Sequence, residues 1–146
     1  MEKYNVAEDV TVFGMEVTDF PVGVQETFEA LVKMISDKFD RSYFGIFEMK
    51  GDRMVYVAAA EEKEKGEAQK YHCERYRIKK GIYLAETIWN WRTKTNTING
   101  VFHELQKDQR IDRTAPGIEW YKNDQEMLCM LKIDSTKPKQ IKVSNT

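Results

Sequence analysis

The chain predicts an α+β fold: two strand-helix-strand-strand units whose strands form an antiparallel sheet, with two helices packed on one side and a cleft between the halves. Three observations predict it. Gly45-Ile46 opens a strand that ends in Lys50-Gly51-Asp52, and Gly117-Ile118 opens another that ends in Lys122-Asn123-Asp124. An amphipathic helical pattern precedes each of these strands, and an apolar run follows each. Aligned without gaps from the Gly-Ile pair, Phe47 of the first unit stands where the second carries Glu119, followed by Trp120 and Tyr121. A carboxylate beside aromatic rings, at the place where the units differ, marks a candidate site.

In chain order, Val10 to Val17 reads as a strand, rich in β-branched residues and with Gly14 hinting at a bulge. Pro21 marks the entry to a helix in which Val24, Phe28, Leu31, Val32 and Ile35 form one apolar stripe, ending near Phe39. Tyr43 to Met49, a Lys50-Gly51-Asp52-Arg53 turn and the apolar run Met54 to Ala60 then form a hairpin. Glu61 to Lys70, charged and containing Gly66, reads as a solvated loop without chemistry. The second unit opens with a long strand, Cys73 to Ile88, bent at Lys80-Gly81. Tyr83, Ala85 and Thr87 share one face of it. Ile98, Val101, Phe102 and Leu105 predict a helix from about Thr95 to Gln109, with Gly100 inside it. Gly117 to Tyr121, the turn from Lys122 to Gln125 and Glu126 to Ile133 close the unit as a hairpin, and Ser135 to Thr146 is polar and frayed.

At 146 residues, 41% hydrophobic and 32% charged, the composition suits a single globular domain over 1–146, with pseudo-repeats at about 9–60 and 72–133 and a flexible tail at 134–146. A net charge of -1 and a pI near 6.2 provide no electrostatic footprint for nucleic acid. There is neither a cationic leader with an apolar core nor an apolar run long enough to span a membrane, so the expected location is cytoplasmic. Cys73 and Cys129 lack metal or disulfide spacing and are expected as reduced, buried thiols. His72 and His103 lie on different elements without partners in ligand spacing and are expected at the surface. No phosphate loop, nucleophile elbow or Cys/His pair is found, and no cofactor or metal is expected.

Strand alternation puts Gly117, Glu119 and Tyr121 on one face and Ile118 and Trp120 on the other. The second pair is expected under the helices, which leaves Glu119 and Tyr121 toward the cleft. A desolvated carboxylate there has a raised pKa and is complemented by an organic cation, which aromatic walls also attract. Phe47, Tyr56 and Tyr83 are the candidate walls, and Trp89 and Trp91 the candidate mouth. The residues alone leave other readings of Glu119 open: an exposed edge, or a structural pair with Arg75 or Arg77. Glu86, between Leu84 and Ile88, is a candidate second buried acid.

Lys80-Gly81-Ile82-Tyr83, the helix with Val101-Phe102 and Leu105, and Pro116-Gly117-Ile118-Glu119-Trp120-Tyr121 before a final apolar strand resemble the GyrI-like small-molecule-binding family. That family also supplies the effector-binding domains of AraC-type and MerR-type multidrug regulators of bacterial transcription. The resemblance covers roughly Val10 to Ile133, and its sharpest element is Glu119 two residues before Tyr121. It implies two strand-helix-strand-strand units about a pseudo-twofold axis, with a ligand cleft between them. The sequence has no room for a helix-turn-helix module before Val10 or after Ile133, so a stand-alone sensing or sequestering member is expected. Ile88-Trp89-Asn90-Trp91 departs from the family, where a His or Gly-rich link is common, and implies a ligand preference of its own. The resemblance implies binding of a hydrophobic cation by Glu119. It also carries two alternatives: a cofactor-independent hydrolase of strained, cyclopropane-bearing electrophiles using Glu119 and Tyr121, and an inhibitor docking to a protein such as DNA gyrase.

Overall fold

The computed structural model describes residues 1–35 and 40–134. Among these residues eight strands and three α-helices follow one another in the order β1 (Glu2–Val6), β2 (Val10–Glu16), α1 (Val24–Ile35), β3 (Tyr43–Lys50), β4 (Arg53–Glu61), α2 (Glu67–Lys70), β5 (Glu74–Ile78), β6 (Gly81–Trp89), α3 (Ile98–Leu105), β7 (Gly117–Tyr121) and β8 (Glu126–Lys132). The strand-helix-strand-strand order thus occurs twice, as β2-α1-β3-β4 and as β6-α3-β7-β8. The predicted helix end near Phe39 and the tail at 135–146 lie outside the described residues.

All eight strands join one antiparallel sheet in the order β1-β6-β8-β7-β3-β4-β2-β5. The long strand expected from Cys73 to Ile88 is two strands: β5 pairs with β2 at one end of the sheet, and β6 pairs with β1 and β8 at the other. Six strand spacings, about 29 Å in a flat sheet, separate β5 from β6. The link from Ile78 to Gly81 reaches at most roughly 11 Å. Only a sheet curled nearly into a barrel satisfies both distances, and the Lys79-Lys80 link crosses its gap.

Curling creates an interior. Val12, Phe44, Ile46, Val55, Val57, Ala59, Ile118, Leu128 and Met130 point into it as one core. Trp120 packs on this core, stacked on Phe44 with ring centroids 6.1 Å apart and edge-on to Tyr4 at 5.4 Å. Ile118 and Trp120 therefore fill the inside of the sheet rather than the space under the helices, because the concave face has no room for a helix. Strand β1 was not legible as an element. Its Tyr4 and Val6 alternate onto the inner core while Lys3 and Asn5 face water, too few apolar positions to stand out in five residues.

The helices occupy the outer flanks. Helix α1 packs on β2 and β4, burying Leu31 and Ile35, each worth about 1.5–3 kcal/mol. Val32, expected in the same stripe, is exposed, since α1 rides near one end of the sheet and only one side of it is covered. Helix α3 packs on β6 and β8 through Ile98, Phe102 and Leu105. It is shorter than Thr95–Gln109: Thr95–Thr97 is a 3₁₀ turn, and beyond Leu105 the chain turns so that Ile111 bridges to Ile133. Between the two helices β3 and β7 remain uncovered on the outer face, and this is the cleft.

The stretch from Glu61 to Lys70, expected as a solvated loop, contains α2 and a buried ion pair. Both guanidinium nitrogens Nη1 and Nη2 of Arg41 donate to Glu67, at 3.1 and 2.8 Å, and Nη1 also donates to the Glu61 carbonyl. The backbone N–H groups of Lys63 and Glu64 complete the shell of Glu67. One buried carboxylate thereby organises a segment whose composition alone reads as solvated.

Candidate functional site

The register of β3 and β7 builds the floor of the cleft. Ile46 lies opposite Ile118, the residue in the same place of the other unit, so Gly45 faces Glu119 and Gly117 faces Phe47. Each glycine makes room for the side chain across from it. A Cβ on Gly45 would collide with Tyr56 Oη and Glu119 Oε1, and one on Gly117 with the Phe47 ring. The same relation that repeats a Gly-Ile pair thus lays two unlike side chains, a carboxylate and a phenyl ring, across the centre of the outer face.

Glu119 is only 8% exposed. Tyr56 Oη, from β4, donates to its Oε1 at 2.5 Å, and Tyr121 Oη, two residues along β7, donates to the same oxygen at 2.8 Å. Glu119 makes no ion pair among the described residues, and Arg75 instead pairs with Glu62 at 3.6 Å. Strand β7 lies between β3 and β8, so Glu119 is not on an edge. Burial pushes its pKa above the ordinary carboxylate range, and the two tyrosine bonds restrain that rise. Burial, and next the charge of Glu119, push both tyrosine pKa values well above the usual phenol range, so both remain donors.

Aromatic rings surround the triad. Phe20 stacks on Tyr56 with centroids 4.9 Å apart, and Phe28 of α1 meets Tyr56 and Tyr121 edge-on at 6.4 and 5.6 Å. Phe47 meets Phe102 of α3 edge-on at 4.9 Å, and Trp91 backs Tyr121 at 4.8 Å. A cavity of about 240 Å³ opens above Glu119, lined by Phe20, Phe47, Met54, by Asn99, Phe102 and His103 of α3, and by Gln106 just after that helix. A second recess, about 290 Å³, lies between α3 and Glu86 and has no aromatic lining. Glu86 is half-exposed and pairs with the chain's amino terminus at 2.9 Å, so it is not a buried acid.

Of the residues predicted from the sequence, Glu119 and Phe47 line this cavity, while Tyr56 and Tyr121 bond Glu119 without lining it and Trp91 packs against Tyr121. Two of the aromatic candidates lie elsewhere. Tyr83 is inside the curled sheet, its hydroxyl donating to the Lys79 carbonyl at 2.6 Å, because residues 83, 85 and 87 face inward. Trp89 is 58% exposed at the end of β6, beyond the reach of either helix. The sequence reading did not include Phe20, Phe28 or the α3 residues in the site. Phe28 reads as core by its spacing, and Phe20 precedes the helix. His103, off the apolar stripe and exposed as expected, stands at the cavity rim because the stripe itself is turned onto β6 and β8.

Cys129 is opposite Glu119 on β8, buried, and burial raises its thiol pKa; Cys73 is half-buried, and both are free. Among the described residues no group of three His, Cys, Asp or Glu side chains is placed to hold a metal, and no helix is long and apolar enough to cross a membrane.

No family model matches the chain, and no curated protein matches it in sequence. Solved structures do match in fold. An integron cassette protein from the mobile metagenome of Vibrio cholerae is 11% identical with a TM-score of 0.66, over 90% of this chain and 94% of that one. A protein designated SAV2435, solved bound to tetraphenylphosphonium, is 12% identical with a TM-score of 0.62, over 92% of this chain and 93% of that one. At these identities the likeness is one of fold.

Proposed function

We propose that this chain is a GyrI-like small-molecule-binding domain that takes a hydrophobic organic cation in the cleft between α1 and α3, with Glu119 as the counter-charge. One observation carries this reading: a buried carboxylate, held by two neutral tyrosine donors and by no cation among the described residues, lies at the floor of an aromatic cavity. An ionised carboxylate out of water costs several kcal/mol unless a cation compensates it. A ligand cation is that compensation, and the faces of nearby rings add about 0.5–2 kcal/mol per well-placed contact. The bound tetraphenylphosphonium of SAV2435 is a property of that protein, and it supports the choice of a cationic ligand here through the shared fold.

The hydrolase alternative uses Glu119 as a base toward water. Oε1 already accepts from two tyrosines, an arrangement that fixes the carboxylate and suits charge pairing in the ground state.

The test is titration with N-methylquinolinium and with neutral methylnaphthalene, followed by tryptophan fluorescence, since Trp91 touches Tyr121. The wild type is expected to prefer the cation, and Glu119→Gln to lose tenfold or more in cation affinity, about 1.4 kcal/mol, with the neutral compound unchanged. Equal cation affinity of the two proteins would remove Glu119 from this role.

A further inference from the structure

Glu119 has two carboxylate oxygens in unlike situations. Both tyrosine hydroxyls donate to Oε1, while Oε2 receives no hydrogen bond among the described residues and Glu119 lines the cavity. A carboxylate accepts about four hydrogen bonds, and Oε2, which is not among the buried unpartnered atoms, has its acceptor sites open to a donor in the cavity. A delocalised cation without N–H groups neutralises the charge and leaves Oε2 without a donor. A protonated amine does both.

The cavity also has a size and a sidedness. Its volume of about 240 Å³ exceeds the roughly 150 Å³ apolar cavity that holds a benzene ring, and so suits one or two rings rather than four. Phe20, Phe47 and Phe102 give it an apolar lining. Asn99, His103 and Gln106 add polar groups from positions i, i+4 and i+7 of α3 and its following turn, one polar stripe at helical spacing. All three are exposed at the rim, so they meet the outer end of a ligand whose charged end is on Glu119.

We infer that the ligand class of this site is a protonated primary or secondary amine on a one- or two-ring skeleton, donating N–H to Oε2 of Glu119 and carrying a hydrogen-bonding substituent toward Asn99, His103 and Gln106. This rests on the cation-binding reading and narrows it: Asn99 and His103 become residues that determine specificity.

Three probes of one skeleton test it: protonated tetrahydroisoquinoline, its N,N-dimethyl quaternary salt, and the protonated amine bearing a ring hydroxyl. Wild type is expected to bind the amine about tenfold more tightly than the quaternary salt, as one charge-assisted hydrogen bond provides, and Glu119→Gln to abolish that preference. The hydroxyl is expected to add up to tenfold in wild type and nothing in the Asn99→Leu/His103→Leu double variant, read in each protein as the affinity ratio of the hydroxylated to the parent amine. If Glu119→Gln weakens the amine and the quaternary salt by the same factor, cation binding stands and the N–H preference is overturned. If the hydroxyl's gain survives the double variant, the role of Asn99 and His103 as specificity residues is overturned. If no probe responds to Glu119→Gln, the cation reading itself falls.

Discussion

Gly45 and Gly100 are both glycines inside regular elements, and the structure gives them opposite meanings. Above Gly45 the space of a methyl group is already taken by Tyr56 Oη and Glu119 Oε1, so the missing Cβ is what lets the hydrogen-bonded triad lie flat across the sheet. Around Gly100 nothing stands within 4 Å, and the residue only adds backbone entropy to α3. Gly45→Ala is therefore expected to cost about 1–3 kcal/mol by overpacking and to weaken cation binding with it, by displacing Tyr56 and Glu119. Gly100→Ala is expected to raise stability by about 0.5–1 kcal/mol and to leave binding untouched. Urea unfolding of both variants beside the quinolinium titration checks the pair; a Gly45→Ala protein with wild-type affinity would show that the close approach does not hold the site.

At the scale of elements, α2 has four residues and cannot persist by propensity; Glu67 holds it to the body of the protein. Burial raises the pKa of Glu67, but the bonds from Arg41 and from the backbone of Glu64 and Lys63 outweigh it and bring the value down to about 2 from an ordinary 4.5. A carboxylate depressed in this way stabilises the fold fully above its unfolded pKa, and that contribution is lost as pH falls from about 4.5 through about 2. Arg41→Ala, which leaves the buried carboxylate without its cation, is expected to cost about 3 to 5 kcal/mol near neutral pH. The gap between variant and wild type should narrow below pH 4.5, as Glu67 protonates more readily in the variant. Urea midpoints at pH 7 and pH 3 measure this, and a gap of the same size at both would show that the pair's charge is not what anchors α2. Composition hid this element because a run of Glu and Lys reads as solvated until Arg41, some 26 residues earlier in the chain, supplies the partner.

For the molecule as a whole, the order of the sheet ranks the strands by support. β7, β3 and β4 lie in the middle, each paired on both sides, whereas β1 and β5 are paired on one side only. Native-state amide exchange is expected to be slowest in the central strands, which carry the site, and fastest in β1 and β5; protection of β5 equal to that of β7 would mean that the gap between the ends of the sheet is closed more firmly than the pairing indicates. Local pattern determined a good deal of this architecture. Period-two and helical stripes located most strands and both longer helices, the repeated Gly-Ile-to-turn segment implied the twofold order, and alternation put Glu119 and Tyr121 on one face of β7. What alternation does not contain is which face the helices cover, or that Cys73 to Ile88 divides between opposite ends of the sheet. Curvature decided both, because a sheet rolled nearly closed holds its own apolar interior, takes Ile118, Trp120 and Tyr83 into it, and leaves the helices only the outer flanks. The open strip between them, where Phe20, Asn99 and His103 meet Glu119 from distant parts of the chain, exists only once that rolling has brought them together, and periodicity along one segment cannot encode a contact between several.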